Sequence, residues 1–107
     1  MPHPSPLEAH AEEAANLLRL LANERRLLLL CELARAEEMT VGRLAARIGL
    51  SQAALSQHLT RLRAEGLVER RREGTSLYYR IADPRVAAVM GALQGLFCPN
   101  PATVRAA

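Results

Sequence analysis

Side chains that can read DNA bases follow one another between Ser51 and Arg61. Leu55, Leu59 and Leu62 recur at helical spacing, and at about 100° per residue the opposite side of that helix is polar. Glutamine can pair with adenine, and arginine with guanine or a phosphate. The pattern predicts a helix that reads the major groove of double-stranded DNA, the alternative being an ordinary solvated surface. The candidate contact residues are Gln52, Ala53, Ser56, Gln57, Thr60 and Arg61.

An arginine cluster follows that helix and can bind phosphates. Arg70, Arg71 and Arg72 stand in a strand-like segment, and Thr75 lies at the tip of the hairpin that follows. Strand alternation sends Arg70 and Arg72 to one face and Arg71 to the other. Phosphate contacts raise affinity and salt dependence without reading the base sequence. A run of charged residues usually forms only a solvated face, but the position of these arginines beside a candidate recognition helix favours phosphate contact.

Cys31 and Cys98 are the two thiols of the chain. From composition alone, Cys31 is a small apolar residue within a helix and Cys98 an incidental residue at a helix end. They form no Cys-x-x-Cys motif, and the histidines at 3, 10 and 58 have no metal-ligand spacing. The sequence also has no phosphate-binding glycine loop and no recognisable Ser/His/Asp set. It therefore predicts neither an enzyme, nor a metal site, nor a bound cofactor.

The overall composition is that of a small basic protein. The chain has 107 residues, a formal net charge of +3 and a pI of about 9.5, which suits one domain and an anionic partner. All 14 basic side chains are arginine, a bias that genomic base composition explains better than function does. No apolar run approaches the ~20 residues that span a bilayer, and the first residues lack a signal-peptide pattern. We expect a cytoplasmic protein that contacts no membrane and keeps its cysteines as thiols.

The elements that position these residues are predicted in the order α-α-α-α-β-β-α. This mainly α fold with a β-hairpin wing is the outline of a winged helix-turn-helix. Residues 1–6 and 99–107 are predicted to be disordered, so that one domain spans 7–98. His58 points towards the core side of its helix and is expected to be packed and hydrogen-bonded rather than to read bases. The predicted elements are a helix over 7–21, a second from Asn23 to about Ala36, a third from Thr40 to Gly49, a fourth capped by Ser51, strands over 68–72 and 76–81 around a turn at 73–75, and a fifth helix from Asp83-Pro84 to about Phe97.

Residues 14–98 resemble the ArsR/SmtB winged-helix repressors of bacteria. The resemblance rests on LLANERRLLLLCELA in the second helix, on TVGRLAARIGLSQAALSQHLTRLRAEGLVERRREGTSLYYRI through the hairpin, and on the closing helix. It implies a homodimer that binds inverted-repeat operator DNA and leaves it when an inducer binds or modifies the protein. In this family the first and last helices form the dimer interface. The resemblance thus implies an interface made of the apolar residues Leu17, Leu18, Leu21, Val86, Val89, Met90 and Leu93.

The metal sites of this family are not matched. Many members bind metal through the cysteine of a Glu-Leu-Cys-Val segment, where this chain has Glu38-Met39-Thr40-Val41. Another subgroup uses acidic residues and histidines of the last helix. Of that set only Asp83 has a counterpart, and Arg85, Leu96 and Pro99 stand at the other positions, where none of them suits a metal. The resemblance therefore implies an inducer other than a metal at these sites.

One subgroup of the family responds to persulfides and polysulfides through two cysteines. One lies late in the second helix and the other at the end of the last, as Cys31 and Cys98 do in this chain. This implies that both are sensing thiols and that reactive sulfur species are the inducer. Arg35, one turn after Cys31, is either a stabiliser of its thiolate or a surface charge. The alternatives are a repressor that senses a metal(loid) or a general oxidant, and a winged helix used for protein contacts.

Overall fold

The computed structural model describes residues 6–98, which form five helices and three strands. The order differs from the predicted α-α-α-α-β-β-α by one extra strand before the third helix. The ends predicted to be disordered lie outside the described residues, except for Pro6, at which the first helix begins. The elements are α1 (Pro6–Leu21), α2 (Glu24–Ala36), β1 (Met39–Thr40), α3 (Val41–Ile48), α4 (Gln52–Ala64), β2 (Val68–Glu73), β3 (Ser76–Ile81) and α5 (Pro84–Phe97).

Side-chain caps determine where four of the helices begin, as the sequence predicted. Asn23, Thr40 and Ser51 precede α2, α3 and α4, and each accepts a hydrogen bond from the backbone N–H three residues later, at 3.1, 3.3 and 3.1 Å respectively. Asp83 caps α5 by accepting the backbone N–H two residues later, at 2.9 Å. These side chains satisfy N–H groups that have no partner within the first helical turn. Helix α3 ends at Ile48 and is capped by Gly49, whose left-handed φ of 71° suits glycine.

The sheet has three antiparallel strands in the order β1-β3-β2, where the sequence predicted a hairpin alone. Met39 of β1 pairs with Tyr79 of β3, so the segment between α2 and α3 is fixed to the wing. With two residues, β1 is too short to produce an alternating pattern in the sequence. In the hairpin Glu73 pairs with Ser76, and the intervening turn contains Gly74 at φ 63°, as tight hairpin turns require.

One hydrophobic core joins all five helices and the sheet. Helix α2 lies within it through Leu29, Leu30 and Leu33, while Leu28 on its outer side is 42% exposed. Helix α4 contributes a face that is apolar at helical spacing and completely covered. No helix within residues 6–98 is long and apolar enough to cross a membrane. The largest fully buried side chains are Leu29, Leu30, Leu33, Leu44, Leu55, Leu59, Leu62, Val68, Val86 and Met90.

Truncation of the α4 face should measure how tightly that helix is held. Leu59 is fully buried, so Leu59→Ala should lower the free energy of unfolding by about 2–5 kcal/mol through lost burial and a residual cavity. Arg63, one turn later on the same helix, is exposed, and Arg63→Ala should change stability by no more than about 0.5 kcal/mol. Urea unfolding followed by circular dichroism measures both. Similar losses for the two variants would contradict the packing of α4 described here.

Candidate DNA-binding interface and thiol pair

Helix α4 presents the predicted polar face to solvent. Leu55, Leu59 and Leu62 are completely buried, which fixes the rotation of the helix about its own axis. The Ser51 cap sets where it begins. The six candidate base-contacting residues all lie on the exposed side: Gln52, Ala53, Ser56, Gln57, Thr60 and Arg61.

His58 and Arg61 have partners within the chain. His58 is half-buried, and its Nδ1 accepts a hydrogen bond from Arg26 Nε of α2 at 3.3 Å. Burial and the nearby Arg26 charge lower the pKa of His58. The expectation of a packed, hydrogen-bonded histidine is therefore confirmed. Arg61 lies 3.9 Å from Glu65 in an exposed pair one turn apart, which costs little to separate.

A surface groove connects α4 to the wing. Gln52 and Ser56 of α4 line it together with Thr75 at the hairpin tip, so three predicted contact residues meet in a space of about 460 Å³. Its other lining residues belong to β1, α3 and β3 and were not predicted as site residues. The sequence signal that could have identified some of them is the Thr40 cap, which marks the first turn of α3. These additional residues are Thr40, Val41, Gly42, Ser76 and Leu77.

The hairpin register places the three arginines on two faces, as strand alternation predicts. Arg72 pairs with Leu77 and Arg70 with Tyr79, and paired residues share a face of the sheet. Because Leu77 lines the groove, Arg72 lies on the face that borders it, and Arg71 lies on the other face. Arg70 also donates a hydrogen bond to the Tyr79 hydroxyl at 3.2 Å.

Arg71 is held by contacts that the sequence did not indicate. Its guanidinium lies 2.5 Å from a Glu38 carboxylate oxygen and 2.7 Å from one of Glu73, and it stacks over the Tyr78 ring at 4.5 Å from the ring centroid. These hydrogen bonds lower the pKa of Glu38 and raise the pKa of Arg71. Arg72, by contrast, makes no hydrogen bond or ion pair within the described part of the chain. The two arginines therefore differ in how readily they can turn to a phosphate.

Cys31 and Cys98 line one groove between α2 and α5. The groove has a volume of about 540 Å³ and an apolar wall that includes Leu27, Leu93 and Phe97. Cys31 is half-buried, with its Sγ 3.7 Å from the Met90 Sδ, whereas Cys98 is exposed just beyond the last turn of α5. Both thiols are free, and the structure thus brings together two residues that are far apart in the sequence.

The surroundings of Cys31 act on its thiol in opposite directions. Burial raises the pKa of Cys31, and a hydrogen bond from the Gln94 side chain opposes that effect. Arg35, considered from sequence as a stabiliser of the thiolate, also lowers this pKa, but it is the weakest of the causes. Its side chain is 62% exposed, and its guanidinium lies 3.9 Å from Glu32. Arg35 is therefore mainly a surface charge, and Gln94 is the polar group that sequence reasoning missed.

Several residues implied for a dimer interface lie instead inside the protomer. Leu21, Val86 and Met90 are at most 2% exposed and Leu17 is 9% exposed, so their side chains are already covered by their own chain. They were assigned to the interface because an apolar stripe in a sequence does not reveal which partner covers it. Among the implied residues, Leu18 is 54% exposed and Val89 and Leu93 are half-buried. The sequence prediction omitted Leu96 and Phe97, which are 73% and 78% exposed.

Metal-ligating side chains do not converge within residues 6–98. No three of the His, Cys, Asp and Glu residues described there lie close enough to hold one ion. Asp83, the single counterpart of the last-helix ligands, caps α5 and lies 2.7 Å from Arg85. This ion pair lowers the pKa of Asp83 through a hydrogen bond from Arg85. Pro99 lies outside the described residues.

Comparison with known proteins identifies the family. The family model for bacterial regulatory proteins of the arsR family matches residues 23–70. The nodulation protein NolR of Rhizobium meliloti is 48% identical over 96 residues, which cover 88% of this chain and 78% of NolR. The crystal structure of the transcriptional repressor BigR from Xylella fastidiosa has a TM-score of 0.79 at 41% identity. The match covers 88% of this chain and 95% of the BigR chain.

A second similar structure is that of reduced HlyU from Vibrio cholerae N16961. Its TM-score is 0.80 at 42% identity, and the match covers 89% of this chain and 99% of that one. The fold, the exposed polar face of α4 and a similarity that covers 88–89% of the chain all agree with the resemblance drawn from sequence motifs. Proteins of this family are regulators rather than enzymes. The chain belongs to the ArsR family of bacterial regulatory proteins and is a winged-helix, DNA-binding regulator of transcription.

Proposed function

We propose that this regulator is a homodimeric repressor that leaves its operator when reactive sulfur species join Cys31 to Cys98. The observation that carries the proposal is the groove that both thiols line between α2 and α5. Two thiols in one apolar groove can be linked within a protomer, whereas two separated thiols would react independently. The test is operator release by a persulfide in the wild type and in each cysteine variant, described below.

DNA binding would use the exposed face of α4 and the wing. Gln57 lies on that face without a side-chain partner within residues 6–98, and its amide can pair with an adenine edge in the major groove. Gln52, Ser56 and Thr75 border the groove between α4 and the wing, where a sugar-phosphate strand would pass. Arg72 lies on the same side of the hairpin and is available for a phosphate. This division separates base reading on α4 from backbone contact on the wing.

Dimerisation would cover the apolar side chains that the protomer leaves exposed on its first and last helices. Leu18 of α1 and Leu96 and Phe97 of α5 are each more than half exposed. When large apolar side chains left in solvent form one contiguous patch, that patch commonly marks an interface. A two-fold dimer through these helices would present two α4 helices to the two halves of an inverted repeat.

The thiol chemistry would begin at Cys98, because it is the exposed thiol. Its thiolate attacks the outer sulfur of a hydropersulfide R–S–SH, forming Cys98–S–SH and releasing R–S⁻. The Cys31 thiolate then attacks the Cys98 Sγ, the Cys31–Cys98 S–S bond forms, and HS⁻ leaves with the electron pair of the broken S–S bond. The two thiols are oxidised and the transferred sulfur is reduced to sulfide, while the two released protons are taken up by R–S⁻ and HS⁻. If both cysteines first become persulfides, one attacks the other and the bridge retains three sulfurs after HS⁻ leaves.

A bridge would act on DNA binding through α2. Cys31 is on α2, and Arg26 of the same helix holds His58 of α4 by a hydrogen bond. Cys98 directly follows α5, the helix that carries Leu96 and Phe97 of the proposed interface. A covalent link between the end of α5 and α2 would therefore change the position of the dimer interface relative to the recognition helix α4. A few kcal/mol of difference between the two arrangements is enough to move such an equilibrium.

Substitutions on the exposed face of α4 and on the wing should separate base recognition from phosphate contact. Gln57→Ala should lose about 1–3 kcal/mol on DNA from upstream of the protein's own gene and little on random duplex. Arg72→Ala should weaken binding to both and reduce the salt dependence. Arg71→Ala is the matched control in the same strand, and it should lose less because Arg71 is engaged by Glu38 and Glu73. Fluorescence anisotropy over a range of salt concentrations measures all three, and equal losses on both DNAs for Gln57→Ala would exclude base reading by Gln57.

Charges placed on the exposed apolar residues should break the dimer. Leu18→Glu and Leu96→Glu should each raise the dimer dissociation constant and weaken operator binding, because one particle would no longer hold two half-sites. Both side chains are exposed in the protomer, so folding should be preserved. Ala46→Glu on the exposed side of α3 is the control and should leave the dimer intact. Sedimentation velocity measures the oligomeric state of each variant, and intact dimers of both leucine variants would place the interface elsewhere.

Removal of either thiol should abolish the response to sulfur but preserve DNA binding. Cys31→Ser and Cys98→Ser should bind the operator as the wild type does and should not be released by glutathione persulfide. Mass spectrometry of the treated wild type should find residues 31 and 98 joined within one chain, by a plain disulfide or, where both cysteines were first persulfidated, by a bridge with one added sulfur. Equal formation of the plain disulfide with hydrogen peroxide, with no bridge that carries added sulfur, would instead support a general oxidant sensor. Release of either single variant at the wild-type persulfide concentration would contradict the dithiol mechanism.

A further inference from the structure

The side chain of Arg26 on α2 makes hydrogen bonds to two other helices. Its Nε donates to the His58 Nδ1 of α4 at 3.3 Å, and its Nη1 donates to the backbone carbonyl of Leu20 in α1 at 2.9 Å. That carbonyl belongs to the last turn of α1, where carbonyl groups have no partner within the helix. Arg26 is half-buried, whereas Arg25 beside it is exposed. One guanidinium therefore connects α1, α2 and α4 inside the protomer.

We propose that Arg26 and neutral His58 form a positioning pair for DNA binding, which fixes α4 relative to the end of α1. This inference rests on the function proposed above, in which α4 is the recognition helix and α1 contributes to the dimer interface. It does not involve the thiols, and it assigns to Arg26 a role other than contact with a phosphate.

The Arg26 contact restrains a movement of α4 that leucine packing restrains less sharply. The buried face that includes Leu55 and Leu59 sets the rotation of the helix about its axis. Apolar burial has no preferred direction, so a small shift along the axis changes it little. A hydrogen bond depends on distance and angle and weakens with such a shift. Operator recognition needs this second restraint, because two α4 helices of a dimer must meet half-sites at a fixed spacing.

The contact requires His58 to be neutral. Its Nδ1 accepts only without a proton, and a protonated imidazole would bring a second positive charge against Arg26. Burial, and after it the charge of Arg26, lower the pKa of His58. On α4 itself the nearby Arg61 is paired with Glu65. Because the pKa lies below the ordinary value of about 6.5, the contact is present above that pH and is lost as the pH falls through the lowered pKa.

The test measures binding of the reduced full chain to DNA from upstream of its own gene and to random duplex. Arg26→Lys keeps the charge but replaces the planar fork by one ammonium. Operator affinity should fall roughly three- to tenfold, while affinity for random duplex should stay within about twofold. His58→Leu should lose as much by removing the acceptor, and the two changes together should lose little more than either alone. Arg35→Lys, the same exchange on the exposed side of α2, is the control and should leave both affinities unchanged.

His58→Asn separates the hydrogen bond from the packing of the ring. Its amide oxygen can accept from Arg26 as the Nδ1 does, and it cannot be protonated. Operator affinity of His58→Asn should match the wild type at about pH 7.5. It should not show the roughly three- to tenfold loss that we expect for the wild type between about pH 7.5 and about pH 5.5.

Several outcomes would overturn the positioning role. Equal losses of Arg26→Lys on operator and random duplex would make Arg26 a phosphate contact. Additive losses at the two positions, or a pH dependence that persists in His58→Asn, would show that the two side chains do not act as a pair. Circular dichroism melts and sedimentation velocity check each variant, and loss of the fold or of the wild-type oligomer in both Arg26→Lys and His58→Leu would assign the contact to stability alone. No sulfur donor is present, so a wild type that persulfide does not release would overturn the thiol mechanism and leave this result standing.

Discussion

Complete burial of one face of α4 is the constraint on which the DNA-binding surface depends. Leu55, Leu59 and Leu62 have no exposed area, and rotating the helix by a single residue would bring a leucine into water and a polar side chain into the core. Each such exchange is unfavourable by a few kcal/mol, since both lost apolar burial and an unsatisfied amide are costly. The orientation of Gln57 towards solvent is thus a consequence of leucine packing on the opposite side of the helix.

Helix α2 connects the parts of the protein that a regulatory event has to link. Its apolar residues form much of the core, Arg26 reaches α4 through His58, and Cys31 faces α5 across the thiol groove. A covalent link made at Cys31 would therefore act on α2, which contacts the recognition helix α4 directly. This arrangement requires no long pathway of coupled residues, because one rigid helix contacts both sites.

The charges of the wing are organised by pairing rather than by number. Arg71, with its two carboxylate partners and the Tyr78 ring, ties β2 to the segment that precedes β1. Arg72, one residue later, points to the other side of the sheet and keeps its charge available. The net charge of +3 therefore does not describe the charge that each arginine offers to DNA. Arg71 offers less because its charge is paired with two carboxylates, whereas Arg72 keeps a free positive charge on the face that borders the groove. Exposed ion pairs of this kind add little stability, so their main effect is on where the free positive charge lies.

The sequence alone determined those features that depend on residues close together in the chain. Capping by Asn23, Thr40 and Ser51 set where helices begin, and the leucine spacing of α4 predicted its polar face, since both act within one or two helical turns. Only the tertiary structure decided which apolar stripes are covered by the same chain, so Val86 was assigned to an interface although it lies in the core. The same limit hid the contact of Arg71 with Glu38 and that of Met90 with Cys31. Partners so distant in sequence meet only after the core has packed, and no local pattern of residue types records which of them will be neighbours.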